Sequence, residues 1–157
     1  MSAVAGWRES LRQIAQENWA LYHRHPWMLH VVAYRPPMGP NIIAKYDYEL
    51  RALEGLGLSD VEMDSVLTLV LGYVAGAARS SVEAAEAAQR TGISDDEWWA
   101  ATAPVLAEVL EPERFPVASR VGPAGEFHGA AYAPEHSFTF GLERVLDGIE
   151  VFIRSRR

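Results

Sequence analysis

Apolar residues recur at steps of three and four along most of the chain and nowhere alternate with polar ones, which predicts helices and no strands. Over 6–23, Trp7, Leu11, Ile14, Asn18 and Leu21 fall on one helical face, and Ala15, Trp19 and Tyr22 widen it, predicting a helix buried on more than one side. Pro26 disfavours helical geometry at His25. A short second helix is predicted over 27–32, stopped by the turn Arg35, Pro36, Pro37, Met38, Gly39, Pro40. Pro40 suits the first turn of a new helix, which Ile43, Tyr46, Leu50 and Leu53 continue until Gly55 and Gly57 end it.

Two starts are marked more sharply. Ser59, Asp60, Val61, Glu62 and Ser94, Asp95, Asp96, Glu97 both read as capping boxes, in which serine and glutamate satisfy orphan amides of the first turn. The first opens the longest helix, running to about Arg90 with Leu67, Val70, Leu71 and Val74 as its apolar core and Thr91-Gly92 as its stop. The second opens a helix through Trp98, Trp99 and Val105 to Leu110, with a kink or restart expected at Pro104. Prolines and glycines then predict an irregular connection over 111–134, with a short helix near 115–121.

The last helix, 135–157, carries a wide stripe of Phe138, Leu142, Val145, Leu146, Ile149, Phe152 and Ile153. Gly141 and Gly148 are seven apart near one face, as Gly72 and Gly76 are four apart in the long helix. Each glycine inside a helix costs ~1 kcal/mol relative to alanine, so the spacing points to close packing. The periodicity leaves open whether the partner is another helix of the same bundle or a second subunit. The fold class is all-α, about six helices in a single domain over 1–157.

Composition narrows the chemistry. At 157 residues the chain is long enough to bury a core without staples, and it contains no cysteine, which excludes thiolate chemistry and disulfides. A net charge of -7 disfavours direct nucleic-acid binding. The one basic cluster, Arg154 with Arg156 and Arg157, is explained by the dipole at a helix C-terminus. The first residues lack a leader pattern and no uninterrupted apolar run approaches the ~20 residues a bilayer requires, so a cytoplasmic protein with no membrane partner is expected. Asp47, Glu49, Asp64, Glu83, His30 and Tyr73 are available as acids or bases, but no spacing selects a pair and no nucleophile elbow, phosphate loop or Glu-x-x-His pair is present. No enzyme activity and no cofactor are expected.

Four strings, HPWMLHVVAYRPPMGPN, LSDVEMDSVLTLVLGYVAG, GISDDEWW and FTFGLERVLDGIE, occur in this order within a region from about Trp7 to Phe152. In order and content they resemble the C-terminal domain of the tetracycline-repressor (TetR) family of transcription regulators. The resemblance implies an effector-binding domain whose long and last helices build a four-helix bundle with a partner subunit, giving a homodimer. Gly72, Gly76, Phe138, Gly141, Val145, Gly148 and Phe152 are then its interface residues.

The resemblance places a small-molecule effector among the helices, with Trp19, Tyr22, Trp27, His30, Tyr34, Tyr46, Tyr73, Trp98 and Trp99 as ligand contacts. Aromatic rings with a polar edge suit, as a set, a flat aromatic ligand, although each ring taken singly reads more readily as ordinary core. His30 occupies a place similar to the histidine that holds a drug-borne magnesium in tetracycline repressors; Ser80 stands near their carboxylate ligand and Glu83 is one turn off, so no metal is expected. His23 and His25 read as a helix-end cap. Only Met1 to Ala5 precede the sensor-like region, so DNA contact is expected only through an N-terminal helix-turn-helix that this chain lacks. Two alternatives share the pocket: a stand-alone binder that sequesters an antibiotic or metabolite, and an enzyme of natural-product metabolism.

Overall fold

In the computed structural model, which describes residues 6–31, 39–127 and 134–156, six α-helices and two short 3-10 turns carry the fold, with no strand among the described residues. The helices are α1 (Trp7–Arg24), α2 (Pro40–Leu50), α3 (Asp60–Thr91), α4 (Asp95–Val109), α5 (Pro116–Phe127) and α6 (Pro134–Arg154). The chain forms two compact units, one of Met1–Arg79 with Phe138–Arg157 and the other of Ser80–Ser137.

The first unit holds the main core. α1 contributes Trp7, Leu11, Ile14 and Ala15, α3 contributes Val66, Leu67, Val70 and Val74, and α6 contributes Phe138, Leu142, Leu146, Ile149 and Ile153. This is the predicted α6 stripe with Val145 and Phe152 moved to its half-buried margin. The α3 residues Leu67, Val70 and Val74 are buried as predicted, while Leu71 is half-buried. α3 also has an 18-residue window of mean hydropathy 1.4, making it long and apolar enough to cross a membrane. No uninterrupted apolar run within it approaches ~20 residues, and within the first unit its apolar face lines the core.

Local sequence explains where the helices begin and end. The backbone N–H of Ser59 donates to Glu62 Oε2 at 2.9 Å and that of Glu62 donates to Ser59 Oγ at 3.3 Å, closing the first capping box. Pro40 opens α2 at a position where a missing N–H costs no intrahelical bond. The predicted helix over 27–32 is instead a single 3-10 turn, Pro26–Leu29, whose C-terminal neighbours 32–38 lie outside the described residues. Gly55 and Gly57 end the 3-10 turn Arg51–Leu53 with φ of 72° and 82°, a left-handed backbone natural only to glycine.

The second unit contains the end of α3 with α4 and α5. Ser94 and Glu97 close the second capping box, with Glu97 N–H to Ser94 Oγ at 3.2 Å and Ser94 N–H to Glu97 Oε2 at 2.9 Å. Pro104 lies inside α4, which continues without a restart to Val109, leaving a kink as the other expectation for that position. α5 extends the predicted 115–121 helix to Phe127, through Gly122, Pro123 and Gly125.

Candidate functional site

Aromatic side chains meet in the first unit around Phe138. Trp19 on α1 stacks on the Phe138 ring at 4.3 Å between centroids, and Tyr73 on α3 stacks on it at 6.2 Å. The Tyr73 hydroxyl donates to the Phe138 carbonyl at 2.9 Å, and burial raises its pKa above the ordinary tyrosine value. Trp19 also packs its ring 4.3 Å from His23, whose Nδ1 lies 2.9 Å from the Trp19 carbonyl. Tyr22, one turn from Trp19, is half-buried, and its hydroxyl pKa is raised first by burial and then by the charge of Glu49. Trp19, Tyr22 and Tyr73 thus share the core margin with two phenol groups and one indole.

The other predicted contacts lie elsewhere. Trp27 is 63% exposed beside His25, and Tyr46 is an exposed side chain whose hydroxyl donates to Asp64 Oδ1 at 2.6 Å. His30 is exposed at the end of the 3-10 turn, where the neighbouring Leu29 carbonyl accepts from Arg79 at 2.7 Å. Tyr34 lies outside the described residues. Trp98 and Trp99 belong to the second unit, edge to face at 4.9 Å.

Of the acids weighed for catalysis, Asp47 accepts from Arg51 at 2.8 Å and Asp64 from Tyr46. Glu49 is buried and was not singled out as a binding residue by the sequence. It accepts from Asn18 Nδ2 at 2.9 Å and pairs with Lys45. The available signal was Asn18, a polar side chain in the apolar register of α1.

A second feature invisible in the sequence joins α1 to α6. Arg8 reaches Glu143 at 2.7 Å, Asp147 at 2.6 Å and Glu150 at 3.2 Å, and Arg12 reaches Glu143 at 2.8 Å as well as Glu9. Arg12 first, then Arg8, hold the Glu143 carboxyl at about 2. The same two guanidiniums are shifted upward by the carboxylates they meet.

The glycines divide into two kinds. A Cβ built on Gly141 would stand 2.6 Å from Tyr73 Cζ, so the close approach predicted there for a partner subunit is made by Tyr73 of the same chain. Phe138 is 5% exposed, buried in the core of its own chain. Gly72, Gly76 and Gly148 have open space where a Cβ would stand. Beside Gly148 runs an open groove of about 450 Å³ lined by Val66, Leu69, Ile149 and Phe152, with the Arg156–Glu62 ion pair across one end.

Helix order, a core shared by α1, α3 and α6 and an open groove lined by α3 and α6 define an all-α helical domain. The chain belongs to the family described as the tetracyclin repressor-like C-terminal domain, whose model matches residues 3–153. It is 40% identical over 153 residues, 97% of its length, to the HTH-type transcriptional repressor DrrR1 of Streptomyces coeruleorubidus. The chain spans about half of that relative, covering 54% of it.

Proposed function

We propose that this chain is the effector-binding and dimerising part of a transcriptional repressor, acting in the cytoplasm and making no contact with DNA by itself. The observation that carries the reading is the family match over nearly the whole chain, together with 40% identity to a transcriptional repressor. Both compact units serve this one sensor domain. It is a regulator and not a catalyst: Asp47, Asp64 and Glu49 are engaged in pairs that fix helices.

The effector is a flat aromatic molecule received where Trp19, Tyr22 and Tyr73 gather, since those side chains offer stacking area and a few orienting polar groups. Two chains associate through α3 and α6 in a four-helix bundle. Support comes from the open faces of Gly72, Gly76 and Gly148, from Leu69, which is 54% exposed, and from half-buried Val145 and Phe152. An effector changes the balance between two dimer geometries only by its difference in affinity for them. Trp19 and Arg8 share α1, and Arg8 is bound to α6, so displacement of α1 by a ligand passes directly to the dimer helix.

The test is a tryptophan-fluorescence titration with a panel of flat aromatic natural products, followed by mass spectrometry of what is recovered. Saturable quenching with ligand returned unchanged is the expected result. A new product mass that disappears on boiling the protein contradicts the reading.

A further inference from the structure

Between α1 and α2 lies a cleft of about 340 Å³ lined by Asn18, Leu21, Arg24, Lys45, Tyr48 and Glu49. Glu49 is its unusual member, because its carboxylate side chain is only 4% exposed. Both of its donors, Asn18 Nδ2 and Lys45 Nζ, reach the same oxygen, Oε1. The Asn18 amide nitrogen also donates to the Ile14 carbonyl at 2.9 Å, so both of its N–H groups are committed. Oε2 therefore receives no hydrogen bond from a described residue. It is not sealed in the core either, since Ser119 Oγ is the only fully buried side-chain polar atom without a partner among the described residues. Oε2 opens onto the cleft.

A carboxylate oxygen that opens onto a cleft can only accept, so the group that meets it must be a donor. The donor it binds most strongly is a charged N–H, because charge-assisted hydrogen bonds are about twice as strong as neutral ones. We propose that Glu49 Oε2 is the docking point for a protonated amine on a small-molecule ligand, with Asn18 fixing the carboxylate and Tyr48 flanking the bound group. Lys45, 43% exposed on a flexible stem, is the resident cation that the amine joins or displaces. A hydroxyl donor satisfies the same oxygen without the charge, and an anion is repelled by it. The inference rests on the small-molecule reading above and adds to it a cation-binding cleft whose lining does not include Trp19, Tyr22 or Tyr73.

The experiment is a two-dimensional ¹H–¹⁵N NMR titration of the whole chain with benzylammonium chloride, read at the Asn18 side-chain amide, with benzyl alcohol and sodium chloride as controls. The expected result is a saturable shift with benzylammonium and binding at least tenfold weaker for benzyl alcohol. Glu49→Gln should weaken benzylammonium at least tenfold and leave the alcohol unchanged. No saturable shift, equal response to the alcohol, or undiminished binding in Glu49→Gln overturns the inference. If Glu49→Gln does not fold, the ammonium-to-alcohol ratio in the unaltered protein decides alone. Failure of the flat-aromatic panel alongside a specific ammonium response would sink the aromatic reading and leave the cation site standing.

Discussion

Tyr73 fills the space that any side chain at position 141 would need, with its Cζ 2.6 Å from where a Cβ on Gly141 would stand. Its hydroxyl is pinned to the Phe138 carbonyl, so the ring cannot swing away without giving up that bond. In an open helix, Gly→Ala stabilises by ~1 kcal/mol through propensity. Here overpacking opposes it, at a cost of ~1–3 kcal/mol. Gly141→Ala should therefore destabilise the protein in urea unfolding by a net ~1 kcal/mol, and pairing it with Tyr73→Ala should remove that penalty. A stabilised single variant would contradict the packing.

Gly148 makes the opposite case. Nothing lies within 4 Å of a Cβ built there, so Gly148→Ala should gain ~1 kcal/mol of fold stability. Gly148→Trp should leave the helix content intact while shifting the protein toward single chains in light scattering, because it would fill the α3–α6 groove. An unchanged mass for Gly148→Trp would place the interface elsewhere.

Arg8 is the hub of the α1–α6 ion cluster, contacting three carboxylates from a side chain that is 25% exposed. Exposed ion pairs contribute ~0–1 kcal/mol each and charged hydrogen bonds more when partly shielded. Arg8→Ala should lower stability by ~1–2 kcal/mol, with a smaller effect in high salt, measured by urea unfolding at two ionic strengths.

Acid should reveal the same cluster. The Glu143 carboxyl falls from its ordinary 4.5 to about 2 in the folded protein. A folded pKa below the unfolded one gives stability that is fully present above the unfolded value and is lost as pH falls through the folded value. Stability should therefore decline from pH 5 toward pH 2, and Glu143→Gln should flatten the decline while lowering stability at pH 7. Parallel curves for the two proteins would show that Glu143 contributes nothing to it.

What could be read from the sequence was what local chemistry decides. Ser59 with Glu62 and Ser94 with Glu97 mark helix starts because cap and partner are three residues apart, and the α6 stripe follows from a fixed period. The partner of Gly141 could not be read, since spacing shows that a helix face is smooth but not which element lies on it. Arg8 and Glu143 are 135 positions apart, so their pairing depends on how α1 and α6 are rotated against each other. Glu49 looked like a solvated helix charge because its burial is set by Asn18 on another helix. The family resemblance places Trp27 and Tyr46 at the pocket, whereas the turn and α2 hold them at the surface. Gly122, Pro123 and Gly125 read as breakers after 121, yet α5 runs on through them to Phe127.

Native mass spectrometry of the purified chain, before and after incubation with the flat aromatic panel, tests the sensor-domain account most directly. It predicts a species at twice the 17.4 kDa of one chain, gaining the unaltered mass of a bound ligand. A single-chain mass under all conditions, or a bound species whose mass shows the ligand chemically converted, would contradict it.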